Sequence, residues 1–338
     1  MGNIYLLDCT LRDGGYVNNW VFGRDAIQNI KTGLEQAGVD IIELGFIRNE
    51  AANPDRSVFS DGADIRRRVQ DTNRKAVYSA MIEPKEPEQC YPAELLGTPL
   101  ESGIGLIRIC TWKRLTKEHL AYCRTVVDMG YRVSVQPTAV GQYNLDEFTQ
   151  LLKQAGEIHP FSFYIVDTWG TQSPVQICRY LELAERHLDR DVKIGYHGHN
   201  NKMQALSCAQ AAIAMGLSHD LCIDASIMGM GRGAGNLQME VIMDYLNETA
   251  GKKYDPIVLV NLYTSYLQKF FAATPWGYSL YHYLGAQYNC SQDFATYFKE
   301  KRYGEEKYHK FLDSLSAAEK IVFRAAFVEN RLKELGLS

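Results

Sequence analysis

The sequence predicts an α/β protein, a closed (β/α)8 TIM barrel followed by a helical C-terminal appendage. Short apolar segments rich in Ile, Val, Tyr and Phe recur about eight times, each followed by a stretch of helical periodicity. That rhythm belongs to βα units around a parallel sheet. The units fill roughly the first 250 residues, a span that one barrel uses, and no second sheet is needed, which favours closure over an open doubly wound sheet. After "GKKYDPI" the strand rhythm stops and tyrosines and helix formers take over. The chain therefore divides into a barrel over 1–251 and a helical extension over 252–338.

In order, the strands read "IYLLD" from Ile4, "DIIEL" from Asp40, "AVYSAM" from Ala76, "LIRICT" from Leu106, "YRVSVQ" from Tyr131, "FSFYIVD" from Phe161, "KIGYHGH" from Lys193 and "LCIDAS" from Leu221. Between them "RDAIQNIKTGLEQAG", "TKEHLAYCRTVVDMG" and "NLDEFTQLLKQAG" are amphipathic, and each closes on a glycine, a common helix stop.

The composition is that of a globular protein: 338 residues, 46% apolar, 22% charged, net charge -4. A sequence pI near 6.1 lacks the electrostatic footprint of a nucleic-acid binder, and "RRR" at Arg66 to Arg68 reads as a solvated helix face. The first residues hold no basic region followed by an apolar one, and no apolar run is long enough to cross a bilayer. The expectation is a cytoplasmic protein without a membrane partner. Eight cysteines are scattered without a CxxC pair, so neither a zinc site nor a disulfide framework is indicated.

Side chains just past the C-terminal ends of barrel strands face the catalytic mouth. Those positions carry Arg12 and Asp13, Glu43, Thr111, Gln136, Asp167, His197 and His199, and Asp224 and Ser226. His197 and His199, two apart in an extended segment, project to the same side and can grip one ion. Closure sets the last strands beside the first, so Asp13 can join them. Two imidazoles and a carboxylate with open positions suit Mn2+, Mg2+, Fe2+, Co2+ or Zn2+, and ligand type does not choose among these. A keto acid can chelate at the open positions, where the ion acts as a Lewis acid for its enolate. Arg12 can add permanent positive charge at the developing oxyanion; its plainer reading is a structural salt bridge. In "MGMGRGAGNLQME" the glycines at 229, 231, 233 and 235 allow close backbone approach to a ligand. The run lacks the setting of a dinucleotide or P-loop motif, which leaves an anion site or a plain turn feeding a helix near Asn236.

At these residues the chain resembles the HMG-CoA lyase-like superfamily, the DRE-TIM metallolyases. "TLRDG" from Thr10, "VDTWGTQSP" from Val166, "GHN" from Gly198 and "GMGRGAGN" from Gly229 follow in the family's order. "DASIMGMGRGAGN" is most similar to the 4-hydroxy-2-oxovalerate aldolase branch. The resemblance implies an HMGL-like catalytic barrel in which Arg12 stabilises an enolate and Asp13, His197 and His199 bind a divalent metal, Mn2+ or Mg2+. Asn236 matches an asparagine that is a ligand in the lyase branch. Glu43 matches a position that often holds an active-site glutamate, with a helix-capping or loop-bracing carboxylate as the alternative.

The chain also departs from that pattern. Aldolases that cleave 4-hydroxy-2-oxo acids carry a histidine base shortly after Arg-Asp-Gly, where "RDGGYVNN" offers Tyr16. A phenol with a pKa near ~10 is a weak base and a good donor, so either its pKa is lowered or another group or water takes the proton. Trp112 stands where those aldolases have a second histidine, and the Gly-Glu/Asp-Gln continuation of the homocitrate and isopropylmalate synthases is absent. The tail "TPWGYSLYHYLGAQYNC", with Trp276, Tyr278, Tyr281, His282, Tyr283 and Tyr288, reads as a packed cap or a homodimer interface, or as a lid that supplies an acid. It does not support the aldehyde dehydrogenase partner of the aldolase branch. The expected activity is a metal-dependent aldolase, a carbon–carbon lyase acting on a 2-oxo acid and an aldehyde through an enolate. The alternatives are a Claisen-type acyl-CoA transferase and a metal-binding barrel without catalysis; the intact Arg12 speaks against the last, since metal binding alone does not require it.

Overall fold

The computed structural model describes residues 2–69 and 75–337. Eight parallel strands form a closed ring: β1 (Ile4–Asp8), β2 (Ile41–Ile47), β3 (Val77–Ile82), β4 (Leu106–Thr111), β5 (Arg132–Pro137), β6 (Ser162–Asp167), β7 (Lys193–Gly198) and β8 (Leu221–Ala225). The ring shuts where β1 pairs on one side with β8, Ile4 opposite Leu221, and on the other with β2, Leu7 opposite Ile41. All eight predicted strands are present, with ends moved by up to three residues. The largest shift is in β2, which runs on to Ile47 because a two-residue strand, Val58–Phe59, pairs with its end. Glu43 therefore lies within a strand and not at its end.

Strand alternation sorts the side chains into two environments. Ile4, Leu6, Ile42, Ile107, Val133, Ile194 and Ile223 point outward into a core shared with the helices, where burying each stabilises by about 1.5–3 kcal/mol. Leu7, Ile41, Leu106, Tyr164 and Cys222 point inward and fill the floor of the barrel. One step up five of the strands, the inward positions are Glu43, Ser79, Arg108, Ser134 and Asp224, all buried. A polar layer thus separates the apolar floor from the mouth.

Two of the predicted glycine stops hold: the helices Arg24–Gln36 and Thr116–Asp128 are followed by Gly38 and Gly130 at positive φ. The third, Leu145–Gly156, runs through its glycine, and His159 makes the left-handed turn instead. The last barrel helix starts at Met239 and not near Asn236, because Asn236 and Gln238 are held extended by bridges to His199 and Ser226.

Among the described residues, no helix is long and apolar enough to cross a membrane. The extension first lays Pro256–Leu262 against the barrel, and Leu259, Leu262, Leu267 and Trp276 join the barrel's own core. From Leu280 onward, four helices build a separate core around Phe294, Phe298, Tyr308, Phe311, Val328 and Leu332.

Candidate functional site

The turn after β1 carries Arg12 and Asp13 into the mouth. Backbone N–H groups of Arg12 and Asp13 donate to the Cys9 carbonyl at 3.1 and 2.8 Å. Trp20 then folds over the turn and donates its indole N–H to the Arg12 carbonyl at 2.7 Å. Its ring occupies the space a side chain on Gly15 would need: a Cβ there would lie 2.0 Å from Trp20 Cδ1. This packing explains the second glycine of "RDGG". From β7 come His197 and, just beyond its end, His199, with ring centroids 5.2 Å apart. The glycine loop after β8 returns Asn236 to the same place, and Asn236 Nδ2 donates to Asp13 Oδ2 at 2.8 Å. A Cβ on Gly231 would lie 2.3 Å from Asn236 Nδ2 and 2.7 Å from Asp13 Oδ2, so only glycine lets the loop lie on the carboxylate.

Asp13, His197 and His199 each offer one ligand atom, and these atoms lie within 4.8 Å of one another. The donors fit a divalent cation. Burial pushes the Asp13 carboxyl up, but Arg12 and the two histidines outweigh it and hold the group well below the usual carboxylate range. Burial brings His199 down to about 4, so its imidazole is neutral at pH 7, and its Nδ1 is buried without a hydrogen-bond partner. His197 Nδ1 faces Asp224 Oδ2 at 3.0 Å, the carboxylate–histidine pairing that orients metal-bound imidazoles. Asn236 Oδ1 is also buried and unpartnered.

Beneath these groups runs a continuous chain of charge. Arg12 Nη1 donates to Asp13 Oδ1 at 2.6 Å and Arg12 Nε to Glu43 Oε2 at 2.7 Å. Arg108, with no exposed surface, donates to the same Glu43 oxygen at 2.8 Å and to Asp224, which closes the path to His197. Against burial, Arg108 and His197 hold the Asp224 carboxyl below its ordinary value. Three carboxylates (Asp13, Glu43, Asp224) meet two guanidinium groups (Arg12, Arg108), which leaves one net negative charge towards a cation. Among the described residues Arg12 Nη2 has no hydrogen-bond partner, and Arg12 lines the cavity above the chain.

The cavity walls also hold Tyr16, Phe46, Met81, Glu83, Trp112, Gln136, Arg232 and Gln292. Burial and the nearby Glu83 push the Tyr16 phenol up, not down, so a lowered pKa at Tyr16 does not arise. Among the described residues Glu83 has neither a hydrogen bond nor an ion pair, and Asp13 is the other carboxylate lining the cavity. Of the predicted residues, Arg12, Asp13, Tyr16, His197 and His199 converge on this space, and Asn236 touches Asp13. Glu43 supports Arg12 from below, and Asp167 turns away to accept the N–H groups of Thr171 and Gln172.

Sequence reasoning missed four residues. Arg108 sits mid-strand, where a lone arginine between apolar neighbours on an inward face demands a buried counter-charge; that was the available sign. Glu83 directly follows β3 and could have been found as the other strand ends were. Arg232 lay unremarked within the glycine run, and Gln292 gives no local sign at all.

The HMGL-like family profile matches residues 109–265. That stretch is an HMGL-like domain. It carries β7, both histidines and the glycine loop, and the resemblance read from the motifs holds. An oxaloacetate decarboxylase from Mycobacterium tuberculosis is 29% identical over 246 residues, covering 70% of this chain and 68% of its own. A 4-hydroxy-2-oxovalerate aldolase from Geobacillus genomosp. 3 is 26% identical over 255 residues, covering 72% and 70%. Among solved structures, the N-terminal domain of a candidate aldolase from Bacteroides vulgatus superposes with a TM-score of 0.75 at 26% identity, covering 89% of this chain and 98% of that one. The chain is thus similar to proteins named for making or breaking carbon–carbon bonds.

Proposed function

We propose that this HMGL-like protein is a divalent-metal-dependent carbon–carbon lyase of the aldolase type, acting on pyruvate or a related 2-oxo acid and an aldehyde. The observation that carries the reading is the buried Asp13–His197–His199 cluster with the unengaged Nη2 of Arg12 beside it. A divalent ion held there, Mn2+ or Mg2+ by the family resemblance, supplies Lewis-acid stabilisation of the enolate. Asn236 keeps Asp13 in place and has an oxygen free to join it.

Arg12 presents a fixed donor to the enolate oxygen, and because Glu43 and Asp13 already orient its fork, little reorganisation accompanies charge development. In the cleavage direction, a proton leaves the C4 hydroxyl for Glu83, the electrons of the C3–C4 bond enter the enolate, and the aldehyde departs. Glu83 then returns that proton to C3, which completes the 2-oxo acid and restores the carboxylate. Tyr16, a phenol kept neutral by burial, donates to the aldehyde oxygen. Phe46, Met81 and Trp112 line the same space and limit water.

The test follows exchange of pyruvate methyl protons into D2O by NMR, using chelator-treated protein with Mn2+ or Mg2+ restored. Metal-dependent exchange that Arg12→Lys reduces by about 100-fold or more is expected. No exchange with either metal rejects the reading.

A further inference from the structure

We infer that Gln292, the first residue of the helix Gln292–Glu300 in the C-terminal extension, is a specificity-determining residue that hydrogen-bonds a hydroxyl group on the aldehyde half of the substrate. The inference rests on the aldolase reading above and extends it to the class of aldehyde.

Gln292 lines the cavity although it belongs to the extension. It is 1% exposed, and among the described residues neither its Nε2 nor its Oε1 has a hydrogen-bond partner. Native proteins rarely leave a buried carboxamide with both atoms unsatisfied, because its desolvation is then uncompensated. The local fold does not ask for it: Ser291 caps the helix by accepting from the Asp293 N–H, so an apolar residue at 292 would serve the helix equally well. The surroundings nevertheless hold the amide in place. Asp293 forms an ion pair with Arg232 of the glycine loop, fastening the start of this helix to the site. A Cβ on Gly233 would lie 2.4 Å from Gln292 Oε1 and 3.4 Å from His282 Cε1, so the loop gives way at that glycine to admit both side chains. His282, from the helix Leu280–Gln287, is likewise buried with Nδ1 unpartnered.

A carboxamide offers one face that donates and one that accepts. A hydroxyl does both and satisfies the pair. A carboxylate would meet Nε2 but oppose Oε1, and an alkyl chain would satisfy neither. Glu83, Thr138 and Thr168 also line the cavity and add to its polar wall. The fitting substrate is thus a hydroxylated, sugar-like aldehyde, and a simple alkyl aldehyde is disfavoured because it leaves the amide unpaired.

The test measures kcat/KM for pyruvate addition to glyceraldehyde and to propionaldehyde in the unmodified enzyme, Gln292→Met and Gln292→Asn. The unmodified enzyme is expected to prefer glyceraldehyde. Gln292→Met should cut that preference tenfold or more, mainly through KM for glyceraldehyde, with Tm unchanged or raised because no native bond is lost. Gln292→Asn, which withdraws the amide by one methylene, should shift the ratio in the same direction and serves if the methionine variant does not fold. A ratio within twofold of the unmodified enzyme in either folded variant overturns the inference and leaves the aldolase reading standing. A lowered Tm with equal losses on both aldehydes marks a structural residue and overturns it as well. An unmodified enzyme that exchanges no pyruvate protons overturns both.

Discussion

Replacing Asp224 with asparagine removes one charge from the chain between Asp13 and His197 while keeping the shape of the side chain. Asp224 Oδ2 accepts from His197 Nδ1 at 3.0 Å and from Arg108. With the carboxylate in place, His197 carries its proton on Nδ1 and keeps Nε2 free to bind a cation. An amide that turns its NH2 to the ring reverses this, moving the proton to Nε2 and blocking the ligand atom. Loss of such an orienting partner lowers metal affinity by about 10–100-fold, or ~1.4–2.7 kcal/mol. The cost to the fold is separate. Arg108, wholly buried, keeps Glu43 and Gln136 but loses one anion, and breaking a buried pair costs about 3–5 kcal/mol; the retained amide oxygen places this substitution near the lower figure. Titrating chelator-treated protein with Mn2+ reads the first effect, and the urea midpoint reads the second. A folded Asp224→Asn that binds Mn2+ within twofold of the unmodified protein and unfolds at the same urea concentration would refute the coupling between Arg108 and the metal site.

Three further outcomes follow from the geometry. Glu83→Gln should slow aldol cleavage and pyruvate proton exchange by roughly 10²–10⁴-fold while slowing oxaloacetate decarboxylation less than about tenfold, because loss of CO2 needs no proton acceptor to break the bond; equal losses in all three assays would remove Glu83 from the chemistry. Gly231→Ala puts a methyl group 2.7 Å from Asp13 Oδ2 and should weaken Mn2+ binding by about tenfold or more, measured by the same titration; unchanged affinity would show that the loop can shift. Burial pushes the Asp8 carboxyl up to about 7, above the value near ~3.9 of an unfolded chain. Its contribution to stability is therefore complete below about pH 4 and is lost as pH rises through about 7, a change on the order of 4 kcal/mol. Asp8→Asn should flatten the urea midpoint across that window, and an unaltered slope would assign the pH dependence to other groups.

The barrel was legible because its strands and helices advertise themselves locally: inward and outward positions alternate along "LIRICT" and "LCIDAS", and glycines punctuate the helices. The meeting of Asp13 with His197 and His199 followed from closure alone, since ring topology makes the first strand a neighbour of the last. Reading "DIIEL" as the strand sets Glu43 near its end, but the apolar pattern continues past Gly45 through Phe46 and Ile47, and these pair with the distant segment Val58–Phe59. Tyr16 could be named from its place after Arg-Asp-Gly, but the direction of its pKa depends on burial and on Glu83, which one-dimensional spacing does not encode. Gln292 was invisible for a related reason, since its role depends on where the extension docks and no local periodicity reports that.

The chain of charge under the site also bears on how the barrel assembles. Arg108 comes from β4 and Asp224 from β8, 116 residues apart, while Arg12 lies in the turn after β1 and Glu43 belongs to β2. A half-barrel of β1 to β4 would bury Arg108 with one of its two anions missing, and the complementary half would bury Asp224 with no guanidinium at all. Neither half is self-sufficient, so partial barrels are penalised and the last strand docks against an electrostatic gap that only it can fill. The ion pairs that orient the ligands thereby make the ring fold as one cooperative unit, so that separately expressed halves should remain unfolded until mixed.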